Sequence, residues 1–138
     1  MRTLRDVEAY LGGLNRRFTA VEGQEGTFLV HSSDRMPPIA LRVDPPLVLV
    51  RVQIGEAQGA PDPAALYLRL LELNARELVH ASYGVDHGVV VLSSALELEN
   101  LDFNELQATM EEIDLALAQQ LPGLASLAAP AKRPSGKN

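Results

Sequence analysis

Apolar residues recur along this chain with two periods, and the switches between those periods divide it into elements. Leu4, Val7, Leu11, Leu14 and Phe18 fall at helical spacing and form one stripe. Thr3 with Asp6 supplies an N-cap and an acidic third position, so the spacing predicts a helix over about 4–17, weakened at Gly12-Gly13. The period then drops to two. Thr27–His31, Ile39–Val43 and Leu47–Ile54 read as strands, separated by a glycine turn cluster at 22–26, by a loop ending in Pro37-Pro38, and by Asp44-Pro45-Pro46. In the longest run Val48, Val50, Val52 and Ile54 share one face, while Leu47, Leu49, Arg51 and Gln53 share the other.

Asp62-Pro63 is an N-cap and first-turn pair that opens a second helix. Its polar stripe is narrow: Arg69, Glu72 and Arg76. Leu66, Leu70 and Leu73 lie on one side and Leu68 and Leu71 on another, so one side can cover a sheet and the other needs a second surface. Leu78–Tyr83 and Val89–Ser94 read as strands around a turn at Val85-Asp86-His87-Gly88. Asp102 and Glu105 form a capping box for a third helix, whose buried side is Phe103, Leu106, Met110, Ile113 and Leu117 and whose stop is Pro122-Gly123. The order α-β-β-β-α-β-β-α is α+β, an antiparallel sheet packed by helices. Residues 1–121 make one domain, and 122–138 an Ala/Pro-rich basic tail expected to be flexible.

Composition adds exclusions. With no cysteine in 138 residues, thiol catalysis, disulfides and thiolate metal sites are ruled out. No apolar run is long enough to span a membrane, and the charged start does not read as a signal peptide, so the expected location is cytoplasmic. Charge is uneven. Residues 61–121 carry eleven acidic and two basic side chains, a sum of −9, against a net charge of −6 for the whole chain. Such a surface repels phosphate backbones, which argues against direct nucleic-acid binding, and favours a basic protein partner.

Catalytic chemistry is not legible. His31-Ser32-Ser33-Asp34 contains the residue types of a triad, but neighbours in sequence rarely make one, and a loop of turn formers explains the run. His80, Asp86 and His87 lie near one hairpin without metal-ligand spacing. Glu97 and Glu99 read as solvated charge. No catalytic residue, cofactor or metal site is assigned.

The runs Leu73-Asn74-Ala75, Ala81-Ser82-Tyr83-Gly84-Val85, Gly88-Val89-Val90-Val91-Leu92 and Leu96–Asp102, in this element order, resemble the YbjN-like proteins, which share the fold of type III secretion chaperones. The resemblance covers residues 1–121. It implies a non-enzymatic homodimer paired through the second helix and neighbouring sheet, holding an extended segment of a partner on apolar patches or at a strand edge. Leu66, Leu70 and Leu73 are the candidate dimer contacts, with packing on the protomer's own sheet as the alternative. Phe28, Val30, Leu41 and Leu49 are the candidate partner surface, with core packing as the alternative. Two other readings stay open: an adaptor for a folded, basic nucleic-acid-binding protein, and a small-molecule sensor or enzyme with a pocket at His31, Asp34 or His80.

Overall fold

A computed structural model describes residues 2–129. The first helix, α1, spans Leu4–Gly13 behind a capping box in which the Thr3 amide donates to Asp6 Oδ2 at 2.8 Å and the Asp6 amide to Thr3 Oγ1 at 3.3 Å. It ends four residues before the expected boundary. The two glycines stop it, Asn15 turns the chain in the left-handed region (φ 61°), and Phe18 leaves the helical stripe to begin a short strand, β1 (Phe18–Ala20). That strand pairs Phe18 with Val30, and the Phe18 ring meets the Phe28 ring edge-on. Gly13 serves a second purpose, since a Cβ there would sit 3.0 Å from the Phe103 ring.

The remaining strands are β2 (Thr27–Val30), β3 (Ile39–Asp44), β4 (Leu47–Glu56), β5 (Ser82–Asp86) and β6 (Val89–Glu97); the other helices are α2 (Pro63–Arg76) and α3 (Phe103–Leu127). The helices and longer strands follow the expected order, with β1 added. All six strands form one antiparallel sheet, β1-β2-β3-β4-β6-β5. Phe28, Leu41, Val50 and Ser94 stand opposite one another on one face; Leu29, Ala40, Arg51, Ser93 and Ser82 stand in line on the other. The first face is the core. Its Val30, Ile39, Leu41, Val48, Val50, Val52, Val90 and Leu92 are buried together with Val7 and Leu11 of α1, Leu66, Leu70 and Leu73 of α2, and Leu106, Met110, Ile113 and Leu117 of α3. Among the described residues no helix packs on the second face.

Two further boundaries differ from the sequence pattern. Residues 78–81 do not join the sheet, because the Glu112 carboxylate takes the amides a ladder would use: Val79 at 3.2 Å, His80 at 2.8 Å and Ala81 at 2.7 Å. The strand therefore starts at Ser82, and a two-residue turn at His87-Gly88, both with positive φ, closes the β5–β6 hairpin. Helix α3 runs through Pro122 to Leu127 instead of stopping there. Proline inside a helix costs about 3 kcal/mol. Burial of Leu124 and Ala128, each fully buried apolar side chain being worth roughly 1.5–3 kcal/mol when large, offsets this. The chain beyond is pinned: the Glu56 amide donates to the Ala129 carbonyl at 2.8 Å and the Ala129 amide to the Glu56 carbonyl at 2.9 Å. Gly55 permits that approach, since a Cβ there would stand 2.8 Å from the Ala129 oxygen. Residues 122–129 thus pack with the domain; the part of the expected tail at 130–138 lies outside the described residues.

Candidate partner-binding surfaces

Helix α2 places its residues on two opposed flanks. Asp62 caps it, accepting from the Ala65 amide at 3.2 Å, and Pro63 fixes the first turn. The inward flank is Leu66, Leu70 and Leu73, at most 4% exposed. These were the expected dimer contacts, and the structure corrects that assignment: their surface is spent on the protomer's own core. The outward flank is Tyr67 (43% exposed), Leu68 (58%) and Leu71 (65%), with Ala64 and Ala75 exposed beside them. Ala64, Leu68, Leu71 and Ala75 stand at i, i+4, i+7 and i+11, a continuous apolar stripe.

The helix-free face of the sheet is the second surface. Small side chains at Ala40, Ser82, Ser93 and Ala95 leave a shallow groove of about 600 Å³, with Leu49 in its wall and His80 at its margin. Two ion pairs flank it: Arg42 to Asp44 at 2.9 Å and Arg51 to Asp86 at 2.7 Å. The Arg51 guanidinium, and after it the His87 ring at 2.8 Å, hold the Asp86 carboxyl below the usual carboxylate range. Of the candidate partner residues, Leu49 lines this groove. Phe28, Val30 and Leu41 lie on the opposite face and are buried in the core, so the four candidates do not form one surface and three of them take the alternative role of core packing.

Among the described residues the two edges of the sheet, β1 and β5, are treated differently. At the β5 edge, Asn74 of α2 acts as a substitute strand: its Oδ1 accepts from the Tyr83 amide at 2.7 Å and its Nδ2 donates to the Tyr83 carbonyl at 3.0 Å. The Tyr83 phenol is held from inside, donating to Gln120 Oε1 at 2.6 Å, and burial pushes it up to about 12. Asn74→Ala should cost about 1–2 kcal/mol of stability for two unsatisfied backbone groups. It should also speed hydrogen exchange at the Tyr83 amide; unchanged exchange would show the contact to be idle. At the other end β1 pairs on one side alone among the described residues, leaving an edge of three residues.

The other candidate groups are dispersed or structurally engaged. Ser32 donates to Asp114, which also receives both terminal nitrogens of Arg16 at 3.0 and 2.6 Å, tying the loop after β2 and the chain before β1 to α3. Asp34 is exposed against Arg17. Neither His31 nor Asp34 lines the groove that includes His80. Among the described residues no three His, Asp or Glu side chains gather as a metal site, and no helix is long and apolar enough to cross a membrane. Sequence reasoning missed Glu112 and Asp114 as internal ligands; nothing local marks them, because their partners lie 31–33 and 82–98 residues away.

This arrangement of sheet and helices has known counterparts. Residues 1–130 match the CesT_Tir_1 family, a type III secretion chaperone family. The chain belongs to that family. The CesT_Tir_1 fold also appears in solved structures similar to this one. YbjN from E. coli superposes with a TM-score of 0.67 at 10% identity, over 94% of this chain and 96% of that one. A chain of the heterodimeric ExoU–SpcU complex from the Pseudomonas aeruginosa type III secretion system gives 0.64 at 17%, over 84% and 95%. A chain of the structure of the Yersinia pestis type III secretion chaperone SycH in complex with a stable fragment of YscM2 gives 0.57 at 14%, over 89% and 100%. At these identities the likeness is one of fold. No curated protein sequence matches the chain.

Proposed function

We propose that this CesT_Tir_1 chain is a non-enzymatic protein-binding module that pairs into a homodimer and holds an extended segment of a partner protein. The outward flank of α2 carries the reading. Three large apolar side chains there are 43–65% exposed on a helix whose other flank already covers the core. An isolated exposed leucine needs no explanation, whereas a continuous helical stripe of them marks an interface. The stripe is symmetric in sequence. Two copies crossing antiparallel about a two-fold axis set Ala64 against Ala75 and Leu68 against Leu71 of the second copy, the self-complementary contact an isologous dimer requires. The dimer contacts are therefore assigned to Leu68 and Leu71, with Tyr67 beside them.

The helix-free sheet face, with Leu49, Ala40 and Ala95, is the surface proposed for the partner segment. Solved relatives of this fold are held in complexes with protein partners, which supports a protein ligand. A pull-down followed by truncation of the captured protein tests the mode. Retained binding by a short isolated peptide is expected. A requirement for the whole folded domain would favour a regulatory adaptor instead.

A further inference from the structure

A second, smaller groove lies where the connection after α2 crosses the middle of α3. It has a volume of about 270 Å³ and is lined by the apolar Leu78, Leu115 and Ala116, the carboxylates Glu77, Glu111 and Glu112, and the amides Gln119 and Gln120. Leu115 is more than half exposed, and Val79, next to Leu78, is exposed almost completely. The three carboxylates are not equivalent. Glu112 is consumed by three backbone amides. Glu77 and Glu111 make no side-chain hydrogen bond or ion pair among the described residues, and no basic residue lines the groove. Gln120 spends its Oε1 on Tyr83.

We propose that this groove is the selectivity site of the partner-binding module: it takes an aliphatic side chain on Leu78, Leu115 and Ala116 while a neighbouring lysine or arginine of the same segment meets Glu77 and Glu111. This inference rests on the protein-binding reading above and names the chemistry of the segment. The apolar floor supplies contact, and the two unpaired carboxylates supply sign. A segment with acidic residues at those positions would bring like charges together and be rejected. A small, weak groove of this kind selects among segments already held on the larger sheet face.

The test uses the full chain labelled with nitrogen-15 and two capped hexapeptides, Ala-Leu-Arg-Leu-Lys-Ala and its analogue with glutamate at both basic positions. The cationic peptide is expected to give saturable shifts at the amides of Glu77, Leu78, Leu115 and Ala116 and at the side chains of Gln119 and Gln120. Glu111→Lys should weaken it roughly fivefold and improve the acidic analogue, a swap that a merely structural glutamate would not produce. Equal shifts from both peptides, or shifts confined to Ala40, Leu49 and Ala95, would overturn the groove. Shifts at the groove amides that grow with protein concentration alone assign it to a second copy and also overturn the proposal. So do shifts there, without peptide, on replacing Lys132, Arg133 and Lys137 with glutamine, which would mean the chain's own end occupies it. A protein that holds its partner's segment but shows no groove shift loses this site and keeps the broader reading.

Discussion

Leu66→Ala is expected to lower the unfolding free energy by about 3 kcal/mol, within the roughly 2–5 kcal/mol such core truncations cost. Leu71→Ala, five residues along the same helix, should change it by no more than about 0.5 kcal/mol. The contrast follows from orientation. Leu66 is fully buried among the core residues of sheet and helices, so truncation removes its contacts and leaves a cavity; Leu71 is 65% exposed and leaves none. Urea unfolding at low protein concentration checks this, since association would otherwise add to the apparent stability of the wild type. Equal losses at both positions would mean that α2 is covered on both flanks within one subunit.

The second large effect is expected at Glu112. One carboxylate accepts three successive amides, Val79, His80 and Ala81, and so replaces the ladder hydrogen bonds that residues 78–81 would otherwise make. Charge-assisted bonds of this kind are individually worth roughly 1.5–3 kcal/mol, reduced where the segment is exposed. Glu112→Ala should therefore cost about 2 kcal/mol and release those three amides to hydrogen exchange. Glu112→Gln keeps one acceptor oxygen and should recover part of the loss. Unaltered protection at Val79–Ala81 in the alanine variant would remove Glu112 as the tie between α3 and the start of β5.

Much of this architecture was legible because it rests on local rules. Thr3 with Asp6 and Asp102 with Glu105 form the capping boxes that their spacing announces, and Asp62-Pro63 starts α2. Alternation separated Val48, Val50 and Val52 from Leu47, Leu49 and Arg51, and the structure keeps those faces apart. What alternation could not supply is which face another element would cover. Phe28, Val30 and Leu41 were candidates for a partner surface and are core, while Leu49 stands on the uncovered face. Helix α2 poses the same problem. Its two apolar flanks are evident at 3.6-residue spacing, but Leu66, Leu70 and Leu73 face inward and Leu68 and Leu71 outward because of where α2 packs, information held elsewhere in the chain.

The remaining misses are contests between a local preference and a distant contact. Pro122 should end a helix, yet α3 continues because Leu124 and Ala128 are buried beyond it and Ala129 pairs with Glu56. Residues 78–81 have strand composition, yet Glu112 claims their amides. The acidity of the second half also divides once the contacts are known. Glu112 and Asp114 satisfy internal donors, while Glu77 and Glu111 line the smaller groove without a side-chain partner among the described residues.

Light scattering on the intact chain across a range of concentrations addresses the outward flank of α2 most directly. The account predicts a molar mass twice the 14.9 kDa of one chain for the wild type, and the single-chain value, with the far-ultraviolet circular dichroism preserved, for the doubly substituted Leu68→Asp, Leu71→Asp protein. A wild type that stays at the mass of one chain at the highest concentration, or a double variant that still pairs, would contradict it.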